Sequence, residues 1–440
     1  MVQNHRKQER VICLRIHVVR RGESIYSIAR RYNVSPQKII SDNELKNPTQ
    51  LVVGQTLVIQ EGNRNHVVAP GQSIYSIAAA YGISVNEILQ ANPQITNPSQ
   101  ISAGQTIVIP PRTINFGTIE VNGYAFPNIN RQVLDKTLPD LTYLSIFSYQ
   151  VRADGSLKTI NDQPLINAAR AAGVAPLMVI TNLGETGGFN SDIGHAVLTN
   201  QQVQNTMINN VLRTLREKNY FGLDIDFEYI YPYDRESYNN FLRRIVSTLR
   251  PLGYTITSAL APKTSAGQVG KLYEAHDYPV HGALLDHVIL MTYEWGFTYS
   301  APMAVSPVDG IRRVLNYAVT AIPRDKIFMG MSNYGYDWTL PFKQGTPART
   351  VTNTGAVELA WRRGAEIQYD MTSQAPFFYY YDERGRQHVV WFEDARSIFA
   401  KLSLVNEYRL GGVSYWTIMN YFPQNWLVLR NVFNIRKVLR

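Results

Sequence analysis

From Val121 onward the sequence contains eight apolar, strand-like runs in series, and few architectures can accommodate that many. They are VNGYAFP (Val121 to Pro127), LTYLSIFSY (Leu141 to Tyr149), APLMVITNL (Ala175 to Leu183) and FGLDIDFEY (Phe221 to Tyr229), followed by YTITSALAPK (Tyr254 to Lys263), HVILMTYEW (His287 to Trp295), IFMGMSNYGYDW (Ile327 to Trp338) and GGVSYWTIM (Gly411 to Met419). Helical stretches such as 201–218 and 235–249 lie between them. Strand and helix alternating eight times across residues 116–440 predicts a closed (β/α)₈ barrel, an α/β fold. The segment 339–392 contains FFYYYDERGRQHVVWF (Phe377 to Phe392), which reads as a hairpin. It is too long for a simple loop and is expected to form a small α+β insertion.

The fourth run carries Asp224, Asp226 and Glu228 inside an apolar strand. Strand side chains alternate, so the three acids share one face while Leu223, Ile225, Phe227 and Tyr229 share the other. In a barrel the apolar set faces the helices and the acids face the axis. Desolvating an unpaired carboxylate costs several kcal/mol, and adjacent like charges repel, so at least one acid must be protonated or paired. A purely structural strand would not carry that cost. The acids also sit toward the C-terminal end of the strand, the catalytic face of such barrels. No His or Cys cluster accompanies them, so no metal is expected.

Ahead of the barrel, HVVRRGESIYSIARRYNVS (His17 to Ser35) recurs 49 residues later as HVVAPGQSIYSIAAAYGIS (His66 to Ser84). NPTQLVVGQTLVI (Asn47 to Ile59) likewise recurs as NPSQISAGQTIVI (Asn97 to Ile109). These are two copies of one small βααβ module, expected over 16–60 and 65–110. Within the first copy, Ile25, Ile28, Ala29 and Tyr32 form one helical face, Ser24 caps it, and Pro36 opens a second helix.

Both copies resemble LysM modules through GESIYSIA and GQSIYSIA. The resemblance implies binding to GlcNAc-containing glycans, with contacts at Gly22, Glu23, Ser24 and Ile25, at Gly71, Gln72, Ser73 and Ile74, and at Asn92, Pro93 and Ile95. The barrel resembles family-18 glycoside hydrolases, whose signature Asp-x-x-Asp-x-Asp-x-Glu has its last three acids at Asp224, Asp226 and Glu228. MTYEW and SYWTIM match the sixth and eighth strands of that family. By this resemblance Glu228 is the general acid and Asp226 orients the substrate's acetamido group. Asp224 shares a proton with Asp226, Tyr293 reaches the acetamido oxygen, and Trp416 is the floor under the reacting sugar. Glu294 stands where chitinases have Asp, and Tyr124, Asn182 and Tyr334 are further substrate-contact candidates. Two positions depart from the family pattern. Phe221 replaces its first motif acid, and VITNLGE stands where many chitinases have Ser-x-Gly-Gly on the third strand.

The combination resembles the spore-peptidoglycan hydrolases of endospore-forming bacteria, and the resemblance implies a peptidoglycan or other GlcNAc-containing partner and no cofactor. The alternatives are a chitinase acting on chitin oligomers and a non-catalytic glycan-binding coat protein. Hydrophobic residues at 45% and charged residues at 18% are globular values. A net charge of +9 without a dense Lys/Arg block points to no nucleic acid, and a monomer is expected. No apolar run is long enough to span a membrane. The longest apolar run near the N-terminus, Val11 to Leu14, is too short for an export signal, so no signal peptide is expected; the resemblance to the spore hydrolases implies synthesis in the mother cell and deposition in the coat or cortex region of the spore. Cys13 has no disulfide partner and is assigned no role.

Overall fold

The structure, a computed structural model, describes residues 13–111 and 114–439, so most of the stretch read for an export signal lies outside the described residues. The chain forms two compact units. One holds the two modules up to Gly117 together with Pro423–Phe433, and the other runs from Thr118 to Phe422 and again from Asn434.

In the first module Cys13–Val18 pairs antiparallel with Thr56–Glu61 around the helices Ile25–Tyr32 and Pro36–Asp42. The second repeats the plan with Arg64–Val67 and Thr106–Ile109 around Ile74–Tyr81 and Val85–Ala91. Each first helix starts in a reciprocal capping box, Ser24 with Ser27 and Ser73 with Ser76. A buried asparagine closes each module. Asn92 donates to the carbonyls of Ile88 and Val108 and accepts from the N–H of Val108, and Asn43 does the same for Ile39 and Val58. Pro423–Val432, a helix the sequence assigns to the barrel, groups with the modules, and its Gln424 carboxamide donates to Asn43 and to the carbonyl of Thr56.

In the second unit eight strands pair in parallel: Thr118–Ala125, Tyr143–Val151, Ala175–Thr181, Gly222–Asp226, Thr255–Leu260, His287–Leu290, Ile327–Ser332 and Gly412–Trp416. The last pairs back onto the first and closes the barrel. Tyr124, Tyr143, Phe147, Leu177, Val179, Ile289 and Phe328 fill its interior. On the outer side of the fourth strand, Phe227 stacks on Tyr238 and Phe241 of the helix Arg235–Leu249 at 6.0 and 5.9 Å.

Three strands stop earlier than their apolar runs suggest. The fourth ends at Asp226, so Glu228 lies just past it, and Tyr229 leaves the strand alternation in a left-handed conformation with φ 53°. The sixth ends at Leu290, ahead of Tyr293 and Glu294. The run from Ile327 to Trp338 divides, because Gly335–Thr339 leaves the barrel for a five-stranded antiparallel sheet shared with Arg349–Val351, Gln387–Trp391, Ala375–Tyr381 and Gln368–Asp370. Hydrophobicity cannot mark this division, since both halves are buried.

Gly222 opens the fourth strand where a side chain has no room, because a Cβ there would meet the Thr255 carbonyl oxygen at 2.2 Å. Gly222→Ala is expected to destabilise the barrel by about 1 to 3 kcal/mol, the usual range for overpacking. Urea unfolding followed by tryptophan fluorescence checks this, and an unchanged midpoint contradicts the close approach.

Candidate active site

The three acids have graded surroundings. Asp224 is fully buried and accepts three hydrogen bonds: from Tyr124 (2.6 Å) and Ser145 (3.2 Å) on Oδ2 and from Thr257 (2.7 Å) on Oδ1. These donors come from the first, second and fifth strands, and Thr257 lies directly opposite Asp224 in the register. Burial pushes the Asp224 carboxyl up, and the three donors oppose the shift. Asp226, two residues on, is also buried, and its Oδ1 has no hydrogen-bond partner. Burial, together with the charges of Glu228 and Asp224, holds its carboxyl well above the usual range. Burial likewise pushes Glu228 up to about 7. Among the described residues none of the three forms an ion pair.

Glu228 is positioned through its peptide. Asn182, at the end of the third strand, accepts from the Glu228 N–H at 2.9 Å and donates to the Glu228 carbonyl at 2.8 Å. The next carbonyl, that of Tyr229, accepts from Ser191 at 2.6 Å. The backbone leaving the strand is therefore clamped on both sides of the left-handed residue.

Around this row stand the aromatic candidates. The Tyr293 phenol is held well above its usual range by burial and by the charges of Asp226, Glu228, Glu294 and Asp224. Gly330 makes room for it, since a Cβ there would lie 2.8 Å from the Tyr293 ring. Trp416 ends the eighth strand and meets Tyr124, Phe126 and Phe147 edge to face at 5.4, 6.0 and 4.9 Å. Glu294 accepts from Tyr334 and, at 3.1 Å, from Tyr336.

The structure thus gathers Asp224, Asp226, Glu228, Tyr293, Trp416, Glu294, Tyr124, Asn182 and Tyr334 at one end of the barrel. Tyr124 and Asn182 are both buried, one bonded to Asp224 and the other to the Glu228 peptide. Phe221, in place of a fourth acid, packs beside Tyr143 at 6.2 Å. Ser145, Thr257 and Gly330 are missed by sequence reasoning, because no motif marks them and only strand pairing brings them to the site.

In the modules several candidate contacts are occupied by folding. Ile25, Ile74 and Ile95 lie in the module cores, Ser24 and Ser73 are caps, and Asn92 is fully buried. Glu23 and Gln72 turn back onto the N–H groups of Arg20 and Ala69 and onto His17 and His66. Gly22 and Gly71 both have φ 81°, a left-handed turn suited to glycine, and Pro93 is exposed. Among the described residues no cluster of His, Cys, Asp and Glu could hold a metal ion, and no helix is long and apolar enough to cross a membrane.

The model of the Glycosyl hydrolases family 18 matches residues 124–420, and the LysM domain model matches 17–60 and 66–110. A cortical fragment-lytic enzyme of Bacillus subtilis (strain 168) is 44% identical over 431 residues, covering 96% of this chain and 99% of the relative. Its counterpart in Bacillus anthracis is 42% identical over 432 residues, with the same coverage. The crystal structure of the Bacillus megaterium QM B1551 spore cortex-lytic enzyme SleL matches with a TM-score of 0.85 at 41% identity, over 96% of this chain and 99% of that one.

Asn182→Ala removes both bonds to the Glu228 peptide. It is expected to lower kcat by about tenfold to a hundredfold with KM little changed, since a small misplacement of a catalytic group costs that much. Steady-state kinetics alongside circular dichroism checks this, and a folded variant with parental kcat contradicts the clamp.

Proposed function

Since the chain belongs to the glycosyl hydrolases of family 18, we propose that it is a peptidoglycan hydrolase, an N-acetylglucosaminidase that cleaves after GlcNAc in the glycan of spore cortex. Its relatives are cortical fragment-lytic enzymes by name, and its LysM modules and barrel mark a glycan as the partner. We further propose synthesis in the mother cell and deposition on the spore, where the cortex is degraded at germination.

The observation that carries the chemistry is the buried Asp226 oxygen without a partner, beside an acid poised near neutrality. A lone buried acceptor calls for a donor, and the N–H of a 2-acetamido group supplies one. In the mechanism Glu228 donates its proton to the glycosidic oxygen. The acetamido carbonyl, held by Tyr293, attacks C1 as the C1–O bond breaks, giving an oxazolinium ion and a free alcohol on the leaving sugar. Asp226 accepts the acetamido N–H and offsets the positive charge. Asp224, already holding three donors, is the fixed end against which Asp226 shifts its proton. Glu228, now a carboxylate, takes a proton from the water that opens the oxazolinium ion and so returns to its acid form. This is the substrate-assisted exception to the usual pair of carboxylates, and it retains the β configuration.

Glu228→Gln keeps the volume of the side chain and removes the proton donor. Turnover of cortex fragments is expected to fall by about 10² to 10⁴, with the fold and wall binding intact. Near-parental turnover by the folded variant rules out this residue as the acid. The parent should lose activity as pH rises through about 7, because Glu228 must carry its proton to act as acid. A kcat/KM profile that is flat from pH 6 to 9 argues against that role.

The bond that is cut follows from the nucleophile. Muramic δ-lactam has its nitrogen tied into a ring and cannot supply the attack, so GlcNAc should appear at the new reducing end. Borohydride reduction followed by mass spectrometry shows which sugar becomes the alditol. The lactam at that position overturns both the substrate-assisted mechanism and the glucosaminidase reading, and N-acetylmuramic acid there overturns the glucosaminidase reading. A parallel digest of chitin separates a chitinase from a cortex enzyme.

A further inference from the structure

The ladder between the fourth and fifth strands is interrupted beside the catalytic acid. At its start the Thr255 N–H donates to the Phe221 carbonyl, and the register then sets Thr255 opposite Gly222 and Thr257 opposite Asp224. Rungs between parallel strands repeat every second residue, so Thr257, Ala259 and Ala261 come in turn to the carbonyls of Leu223, Ile225 and Phe227. The last of these rungs would run from the Ala261 N–H to the Phe227 carbonyl. The ring of His276 stands in its place. The Ala261 N–H donates to Nδ1 at 2.9 Å, and Nε2 lies 2.9 Å from the Phe227 carbonyl oxygen.

A backbone N–H can only donate, so Nδ1 carries no proton. In the neutral ring the proton is then on Nε2, which donates to Phe227. Burial pushes the titration of His276 down to about 4, so the ring is neutral where Glu228 titrates. The imidazole thus relays the rung across its own width and leaves its two backbone partners a ring apart. His276 is itself held in place. Its N–H donates to the Tyr273 carbonyl at 3.1 Å, and its carbonyl accepts from the buried Lys263 ammonium at 3.1 Å. Tyr278 secures the other side of Ala261 by donating to its carbonyl at 2.6 Å.

The relayed carbonyl belongs to the residue between Asp226 and Glu228. The peptide joining Phe227 to Glu228 is therefore held at both ends, its oxygen by His276 from the fifth-strand side and its N–H by Asn182 from the third-strand side at 2.9 Å. The C=O and N–H of a planar trans peptide point in opposite directions, so two such partners fix its plane. We propose that His276 is a spacer in the barrel wall, which holds the fourth and fifth strands apart where they end and orients the peptide that carries Glu228. It is a positioning residue for the proton transfer, and the proposal rests on the reading of Glu228 as the acid of a glycan hydrolase.

The test uses the full chain and a soluble GlcNAc-containing glycan. His276→Phe keeps a buried ring and removes both bonds. Its kcat should fall by about tenfold to a hundredfold with KM little changed. The upper limb of its pH profile should move below the parental position, because a Glu228 released from its peptide clamp gains water and loses the burial that raises its carboxyl. His276→Gln offers an amide oxygen to Ala261 and an amide N–H to Phe227, and should keep kcat within about threefold of the parent with the parental limb. A folded His276→Phe with a lower melting temperature but parental kcat and limb overturns the proposal. So does a folded His276→Gln that loses about tenfold or more in kcat. Nitrogen-15 spectra of the histidine-labelled parent, with His276 assigned by its loss in His276→Gln, should show the proton on Nε2. A proton on Nδ1 overturns the relay whether or not His276→Phe folds. A parent that hydrolyses no GlcNAc-containing glycan overturns the hydrolase reading and the positioning role with it.

Discussion

The site is organised by one electrostatic constraint: three carboxyl groups enter the interior of a barrel, and none of them forms an ion pair among the described residues. Because none forms an ion pair, each must be stabilised by hydrogen bonding or remain protonated near neutrality. The structure grades this treatment along the strand. Asp224 receives three donors, Asp226 keeps one oxygen without a partner, and Glu228 sits outermost with its carboxyl pushed up to about 7. A gradient of this kind lets a proton reside at the outer end while the inner end stays fixed. The donors to Asp224 come from the first, second and fifth strands, so barrel closure itself enforces the gradient.

Backbone geometry then sets the reach of the outer groups. Tyr229 and Glu294, just past the fourth and sixth strands, both adopt left-handed conformations, with φ of 53° and 63°. Left-handed backbone at bulky residues is unfavourable and persists only where the surroundings impose it. Here Asn182 and Ser191 hold the peptides on either side of Tyr229, and Tyr334 and Tyr336 hold the Glu294 carboxylate.

Much of this was legible in the sequence because it follows local periodicity. Alternation in FGLDIDFEY put the acids on one face, and eight apolar runs gave the barrel its strand count. Phe221 raised the question of what would replace the missing acid, and the residues that answer it were not legible. Ser145 and Thr257 are small hydroxyl side chains in ordinary strand contexts, and they meet Asp224 only through pairing between strands. The bonds of Tyr124 to the Asp224 carboxylate and of Asn182 to the Glu228 backbone were not legible either, since a sequence does not reveal which protein groups a polar side chain meets. The division at Gly335 was hidden because a chain passing from one buried sheet to another keeps the same hydrophobicity.

The helix Pro423–Val432 follows the last barrel strand in the chain, yet it groups with the modules, with Gln424 bonded to Asn43 and Thr56 of the first one. The first module is therefore completed by a segment from the far end of the chain. Cutting them away at Gly117 would strand a buried carboxamide at the other end of the polypeptide. Recombination that exchanged only the N-terminal segment would inherit the same mismatch. In such a protein the unit of evolutionary exchange is a pair of segments more than 300 residues apart in the chain, which must change together.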